Sequence, residues 1–337
     1  MIKNILVTGG CGFIGSNITN YFAKKGYKLF VIDDLSIGNK SNLIDSKNIK
    51  FFRKNINSIN RLKINHSLDA CIHLAAKAEI MISKDKESQY FFDNIDGLQE
   101  VLNFCSKRKI KKFIFASSAS VYGDTFNKKV KEDKKKNPLH FYGYTKSIGE
   151  EIVKTYCEIN KLNYYNLRFF NVYGNESNAV VAKFIAQYLQ NKPITIYGSG
   201  NQSRDFINID DVIKIIEILL KRNFQSNIFN IGSSTSTKII DIKNLISKKS
   251  KFAKLPKRFD DIEKSISDNS KVKRALKWKP NIKLKSGIEK MIIEDKKRLI
   301  RLNLVSSSKQ RKIIKKFNSQ KWKYLEMMVS EIFLELV

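Results

Sequence analysis

Tyr142 and Lys146 stand four residues apart in the stretch His140-Phe-Tyr-Gly-Tyr-Thr-Lys146. On a helix, positions i and i+4 share a face, so the phenol and the ammonium can reach one pocket. A free tyrosine ionises near pH ~10 and is a poor base at neutrality. A positive charge held beside it favours the phenolate, and such a pair can take a proton from a sugar or alcohol hydroxyl. Tyrosine and lysine are abundant in this chain, so a plain surface helix would also show this spacing. The surrounding residues decide between the two.

A second group is the run Thr8-Gly-Gly-Cys-Gly-Phe-Ile-Gly15. Gly9, Gly12 and Gly15 permit a tight turn and let the backbone approach a pyrophosphate. Phe13 and Ile14 open the helical pattern that follows, where a helix N-terminus offers N–H groups and a partial positive charge. Asp33 ends the next apolar run. A carboxylate there accepts hydrogen bonds from ribose hydroxyls and repels a 2′-phosphate, which favours NAD over NADP. Asp34 beside it fits a turn. A third group is the apolar run 113–118, which ends in the hydroxyls of Ser117, Ser118 and Ser120. At the carboxyl edge of a parallel strand a serine faces the ligand crevice; it can equally cap a turn.

These residues need elements to hold them. Strands are expected over 4–8, 29–32, 50–53, 70–74, 112–117 and 163–168, with helical patterns between most of them. The alternation predicts an α/β fold with a Rossmann-type, doubly wound parallel sheet and a smaller C-terminal lobe. Beyond Tyr173 a helix is expected over 179–190, a strand over 194–197 and a helix over 212–220 capped by Asp210-Asp211. A strand over 228–231 would return to the main sheet. The expected organisation is a cofactor domain over 1–173 that also receives segments near 205–232, an interleaved substrate lobe over 174–300, and a basic, amphipathic tail over 301–337. In that tail Leu325, Met328, Val329, Ile332, Phe333, Leu336 and Val337 fall on one helical stripe.

Composition narrows the classes. The 337 residues are 42% hydrophobic, enough for a sizeable core. Cys11, Cys71, Cys105 and Cys157 are scattered, which suits a reduced, cytoplasmic protein, and the three histidines form no ligand cluster, so no metal is expected. No apolar run approaches the roughly twenty residues of a membrane span, and the first apolar run is too short for a signal peptide. The formal charge of +31 raises the question of a nucleic-acid partner. The lysines are spread along the whole chain, however, and lysine, asparagine and isoleucine are abundant together. That is the signature of an AT-rich coding bias, and no specific nucleic acid is expected.

In aggregate, the glycine run, Asp33-Asp-Leu-Ser, His73-Leu-Ala-Ala, Ser-Ser-Ala-Ser-Val-Tyr-Gly, Tyr-x-x-x-Lys, Leu167-Arg-Phe-Phe-Asn-Val-Tyr-Gly174 and Ile196-Tyr-Gly-Ser-Gly-Asn-Gln-Ser-Arg-Asp-Phe206 resemble the extended short-chain dehydrogenases that act on nucleotide sugars. The resemblance covers about residues 1–295. It implies that Tyr142 is the active-site base, that Lys146 holds the nicotinamide ribose and lowers the tyrosine's pKa, and that Ser118 bonds the sugar O4. It places Asn55 and Ile56 at the adenosine and Leu74, Ala75 and Ala76 along the NAD. It places Asn171, Arg204 and Arg258 on the substrate nucleotide, the arginines on its diphosphate, a role suited to a guanidinium fork. From the residues alone, Arg204 can instead pair with Asp205, and Arg258 can lie on a solvated face.

Dehydratases and decarboxylases of this group carry acids directly after the active-site hydroxyl. Here those positions are Ala119 and Ser120, so the chain resembles the 4-epimerases of UDP-glucose and UDP-N-acetylglucosamine. Ser265 aligns with a pocket position that is bulky where the 2-N-acetyl group is excluded, so UDP-N-acetylhexosamines are favoured and UDP-hexoses remain open. The resemblance also implies a homodimer through a four-helix bundle and a product that feeds surface polysaccharide synthesis. The rival readings are a keto-sugar reductase or dehydratase on the same scaffold and, from another class, a non-catalytic RNA-binding member of the fold. Four departures stand out: Asn55 replaces an aspartate that meets the adenine amino group, Asn175 follows Gly174 where relatives often have proline, and Lys77 and Glu79 are charged and expected near the substrate.

Overall fold

The computed structural model describes residues 2–78, 87–126, 128–225, 227–258 and 261–304. Its strands are β1 (Asn4–Thr8), β2 (Lys28–Asp33), β3 (Ile49–Arg53), β4 (Ala70–His73), β5 (Lys112–Ser118), β6 (Asn163–Phe169), β7 (Asn171–Tyr173), β8 (Ile194–Tyr197), β9 (Ser203–Asn208), β10 (Ile228–Ile231), β11 (Ser236–Lys238) and β12 (Phe252–Leu255). Its helices are α1 (Phe13–Lys24), α2 (Glu87–Phe91), α3 (Gly97–Lys107), α4 (Phe141–Ile159), α5 (Val180–Leu189), α6 (Ile209–Lys221), α7 (Ile239–Ile246), α8 (Ser270–Leu276) and α9 (Leu284–Leu304).

The main sheet runs β10-β6-β5-β4-β1-β2-β3, and every pairing in it is parallel. The order reverses direction at β1, which opens a crevice at the carboxyl ends of β1 and β4. Both faces of the sheet are buried, which explains the near-continuous apolar runs. Ile5 and Val7 of β1 face a core shared with Ile18 and Phe22 of α1 and with Ile215 and Leu219 of α6. Leu6, between them, faces the opposite core with Leu98 and Leu102 of α3, Phe113 and Phe115 of β5, and Val153 of α4.

Two smaller sheets, β11-β9-β7 and β12-β8, lie beyond β6 in sequence. Residues up to Ile288 make up one unit and residues from Glu289 a second, to which most of α9 belongs. The apolar stripe expected between Leu325 and Val337 lies outside the described residues, as does Glu79. Among the described residues no helix is long and apolar enough to cross a membrane.

The helix expected over 212–220 begins three residues earlier. The Asn208 side chain caps α6 by accepting the Asp210 N–H at 2.9 Å, so the two aspartates sit in the first turn. Asp211 instead accepts the N–H groups of Asn281 and Ile282, both at 3.0 Å. At the other end of α6, buried Lys112 donates to the carbonyls of Leu219 and Arg222 and so caps the helix C-terminus. Burial pushes that lysine down to about 8.

Candidate active site

The glycine loop places backbone where side chains would not fit. A Cβ on Gly15 would stand 2.1 Å from the Gly9 carbonyl oxygen, and one on Gly9, whose φ is +68°, would stand 2.6 Å from the Ala75 nitrogen. The loop thus packs against Leu74 and Ala75 just after β4, where the Leu74 N–H reaches the Thr8 carbonyl at 3.1 Å; Ala76 follows them in the chain. No side chain caps the start of α1 and no acid lies in its first turn, so the N–H groups around Phe13 and Ile14 face outward as an anion cradle. Asp33 is buried, with its two carboxylate oxygens accepting the N–H groups of Cys11 at 2.9 Å and Leu35 at 2.8 Å. Burial raises its pKa, and the two N–H groups oppose that rise. This donor and acceptor set fits a dinucleotide.

Asn55 caps a 3-10 turn over Ile56–Arg61. Its carbonyl oxygen accepts the Asn57 N–H at 2.9 Å and the Asn57 amide at 3.0 Å. Its own amide donates to Asp34 at 3.1 Å and Asp93 at 3.4 Å, so its hydrogen-bonding groups are already engaged within the protein. Ile56 packs so closely on α3 that a Cβ on Gly97 would lie 2.6 Å from its Cδ1. Lys77, expected near the substrate, instead donates to Ser36 at 3.0 Å, and its charge acts on Asp33 and Asp34. It belongs to the cofactor side because its backbone is clamped there: Asn94 accepts the Lys77 N–H at 2.8 Å and donates to its carbonyl at 3.0 Å.

Tyr142 and Lys146 do lie on one helix, α4, one turn apart. Ser118 ends β5 and caps the next turn, its Oγ accepting the Ser120 N–H at 3.1 Å. The start of α4 lies against that turn because residue 143 is glycine, where a Cβ would stand 2.6 Å from the Ser120 carbonyl. The Tyr142 side chain is thereby brought near enough to Ser118 for that hydroxyl to act on it. Burial pushes the phenol up to about 12, and the Ser118 hydroxyl pulls against this. Lys146 is buried, its ammonium 4.8 Å from the Phe115 ring centroid and 5.8 Å from that of Tyr142. Burial brings it down to about 7, with the Glu150 carboxylate acting the other way. At the phenol, burial outweighs the Ser118 hydroxyl, and the expected lowering by Lys146 is not seen. His73, in contact with Thr8 Oγ1 at 2.7 Å, is pushed down to about 3 by burial and by Lys146, so it is a neutral strand link.

One turn beyond Lys146, Glu150 accepts both arms of Arg168, at 2.8 and 2.7 Å, and the Ser117 hydroxyl at 2.5 Å. Arg168 also donates to the Tyr122 hydroxyl at 2.7 Å, and Tyr122 donates to Asn230 at 2.6 Å. This buried chain of bonds ties α4 to β5, β6, β10 and the turn after Ser118. It fixes the helix that carries Tyr142.

A cavity of about 120 Å³ opens beside Ser118. Ser118, Asn171, Arg204, Arg258 and Ser265 all line it, although they come from positions spread over almost half of the chain. Tyr142 and Lys146 are not lining residues; Tyr142 lies behind Ser118, whose hydroxyl acts on it. Arg204 pairs with Asp261, not with Asp205. Asp205 is fully buried and accepts the N–H groups of Ser233, Ser234 and Ser267. The Arg258 guanidinium carbon stacks 3.9 Å from the Tyr197 ring centroid, so it does not lie on a solvated face. His140, Asp261 and Phe170 also line the cavity, and Asn94 braces α4 through a 3.0 Å bond to Thr145. Sequence reading missed these. The one available signal was Asp261 beside the Arg258 motif. Among the described residues no group of three or more His, Cys, Asp or Glu side chains is placed to hold a metal.

The family model described as NAD dependent epimerase/dehydratase family matches residues 5–232. A putative UDP-glucose 4-epimerase of Methanocaldococcus jannaschii is 33% identical over 301 residues, 86% of this chain and 97% of the relative. A Thermotoga maritima UDP-glucose 4-epimerase solved with UDP-glucose superposes with a TM-score of 0.82 at 31% identity, covering 88% of this chain and 99% of the other. A UDP-N-acetylglucosamine 4-epimerase from Methanobrevibacter ruminantium, solved with UDP-N-acetylmuramic acid, gives 0.79 at 30% identity, with 86% and 97% covered. With the parallel sheet, the anion cradle and the Tyr142–Lys146 helix in place, this chain belongs to the NAD dependent epimerase/dehydratase family, an enzyme family whose cofactor is NAD.

Proposed function

We propose that this protein is a UDP-sugar 4-epimerase that favours UDP-N-acetylhexosamines and also accepts UDP-hexoses. The observation that carries the reading is the sugar end of the cavity. It holds the Ser118 hydroxyl, with Tyr142 near enough for that hydroxyl to act on it, while Ala119 and Ser120 stand where the extra proton transfers of a dehydration would need acids. Bound NAD supplies a hydride acceptor and donor at C4 and ends each cycle unchanged. Tyr142 takes the O4 proton through a hydrogen-bonded contact that Ser118 aligns, and returns it once the other face of the sugar has been presented. Lys146 lies under the same ring and holds the nicotinamide ribose. Asn171, Arg204 and Arg258 hold the nucleotide. Ser265 is small and buried, which leaves room for a 2-N-acetyl group.

The test incubates the purified, NAD-loaded protein separately with UDP-GlcNAc and UDP-glucose and resolves the C4 epimers. Interconversion is expected without net change in nicotinamide absorbance. Folded, NAD-loaded protein that converts neither sugar would end this reading, and steady consumption of NAD(P)H would favour a reductase instead. We also infer a homodimer. The exposed Phe91, Phe92 and Tyr144 on the α2–α4 side of the sheet support it, and a monomeric mass in solution would refute it.

A further inference from the structure

The two arginines of the cavity are not equivalent. Arg204 enters it already matched: one arm meets the Asp261 carboxylate, and the other donates to the carbonyls of Ser203 and Ile262. Its charge is offset before any ligand arrives. Arg258 is stacked on Tyr197 through the face of its guanidinium, a packing that does not use its N–H edge, where an anion would bind.

A further cation stands beside it. Gln187 of α5 donates to Thr195 Oγ1 at 2.9 Å and accepts the Thr195 N–H at 3.1 Å. Tyr197 lies two residues on, on the same side of β8, and Lys183 lies one turn before Gln187, on the same side of α5. Lys183 is therefore carried on the helix face turned toward the Tyr197–Arg258 stack. Burial and the Arg258 charge both hold its ammonium below the usual lysine range. Two half-buried cations held near each other are an unfavourable arrangement that an intervening anion relieves.

We propose that Lys183 is a ligand of the substrate's diphosphate, completing with Arg258 a doubly positive clamp for a doubly negative bridge. The inference rests on the nucleotide-sugar reading above and adds to it a residue on the phosphate side.

The experiment titrates UDP, dTDP, GDP and uridine into the NAD-loaded wild type, Lys183→Met and Lys183→Arg, following heat of binding. UDP affinity is expected to fall roughly ten- to hundredfold in Lys183→Met and to recover largely in Lys183→Arg. Uridine affinity and bound NAD should not change. Unchanged UDP affinity in Lys183→Met would overturn the role of Lys183 and leave the nucleotide-sugar reading standing. An equal loss for UDP and uridine would also overturn it, since the lysine would then serve only packing. If UDP fails to bind but dTDP or GDP binds and is weakened by the substitution, the uridine assignment falls and the clamp stands. If no nucleoside diphosphate binds, both fall.

Discussion

In the glycine loop, the groups that would meet a ligand are the backbone N–H groups at the start of α1, around Phe13 and Ile14. In the cavity beside Ser118, they are side chains from β5, β7, β9 and the segment around Arg258 to Ser265. The first site is made by one turn of chain and has no room for a Cβ at Gly9 or Gly15. The second is made by converging segments, and each of its residues can change size or charge while the others stay in place. A contiguous backbone site should therefore fail as a whole, and a dispersed side-chain site should fail by degrees.

Gly15→Ala is the strongest way to break that contrast. Its Cβ would meet backbone, not a flexible side chain, at 2.1 Å. Purified variant protein is expected to carry no NAD and to lose about 3 kcal/mol of stability in chemical denaturation. A variant that retains NAD would show that the loop yields. Tyr142→Phe comes next. It should lower turnover by about 10²–10⁴-fold in the epimer assay while bound NAD, measured after denaturing release, stays at the wild-type level. Ser265→Tyr tests the graded behaviour of the cavity. The ratio of UDP-GlcNAc to UDP-glucose activity should fall by roughly tenfold or more, with UDP-glucose turnover largely kept.

The mildest effect is a slope with pH. The folded chain holds Lys146 near 7, whereas the unfolded chain protonates it up to about 10.5. Between those values the unfolded state binds more protons, so this group makes stability rise with pH. Lys146→Met should remove that slope in ligand-free protein, gaining most over the wild type below pH ~7 and least above ~10.5. Parallel stability–pH curves for the two proteins would refute the burial of a chargeable lysine.

Local pattern carried most of the sheet. The strands expected over 4–8, 112–117 and 163–168 differ from the observed ones by at most a residue, because both faces are buried and each strand is apolar along its length. The glycine loop, Asp33, Ser118 and the Tyr142–Lys146 pair were equally legible, since each lies within one turn or at one strand end. Partner choice was less so. Arg204 has Asp205 next to it in sequence and Asp261 across the cavity. Adjacent residues in a strand point to opposite faces, so the distant acid wins. The cap of α6 went to Asn208 for a related reason: Asp211 was already engaged by Asn281 and Ile282. Glu150, one turn past Lys146, gave no sign of its bond to Arg168, which exists only because β6 runs beside β5.

From its sequence alone, this protein is committed to a parallel α/β sheet, a dinucleotide turn and a tyrosine–lysine helix, since each follows from spacing within a few residues. Tertiary structure alone decided that Tyr142 comes near Ser118, that burial dominates at the phenol, that Asp261 takes Arg204, and that Arg258 stacks on Tyr197. Those outcomes depend on burial and on contacts between segments far apart in the chain, and neither is encoded in local spacing.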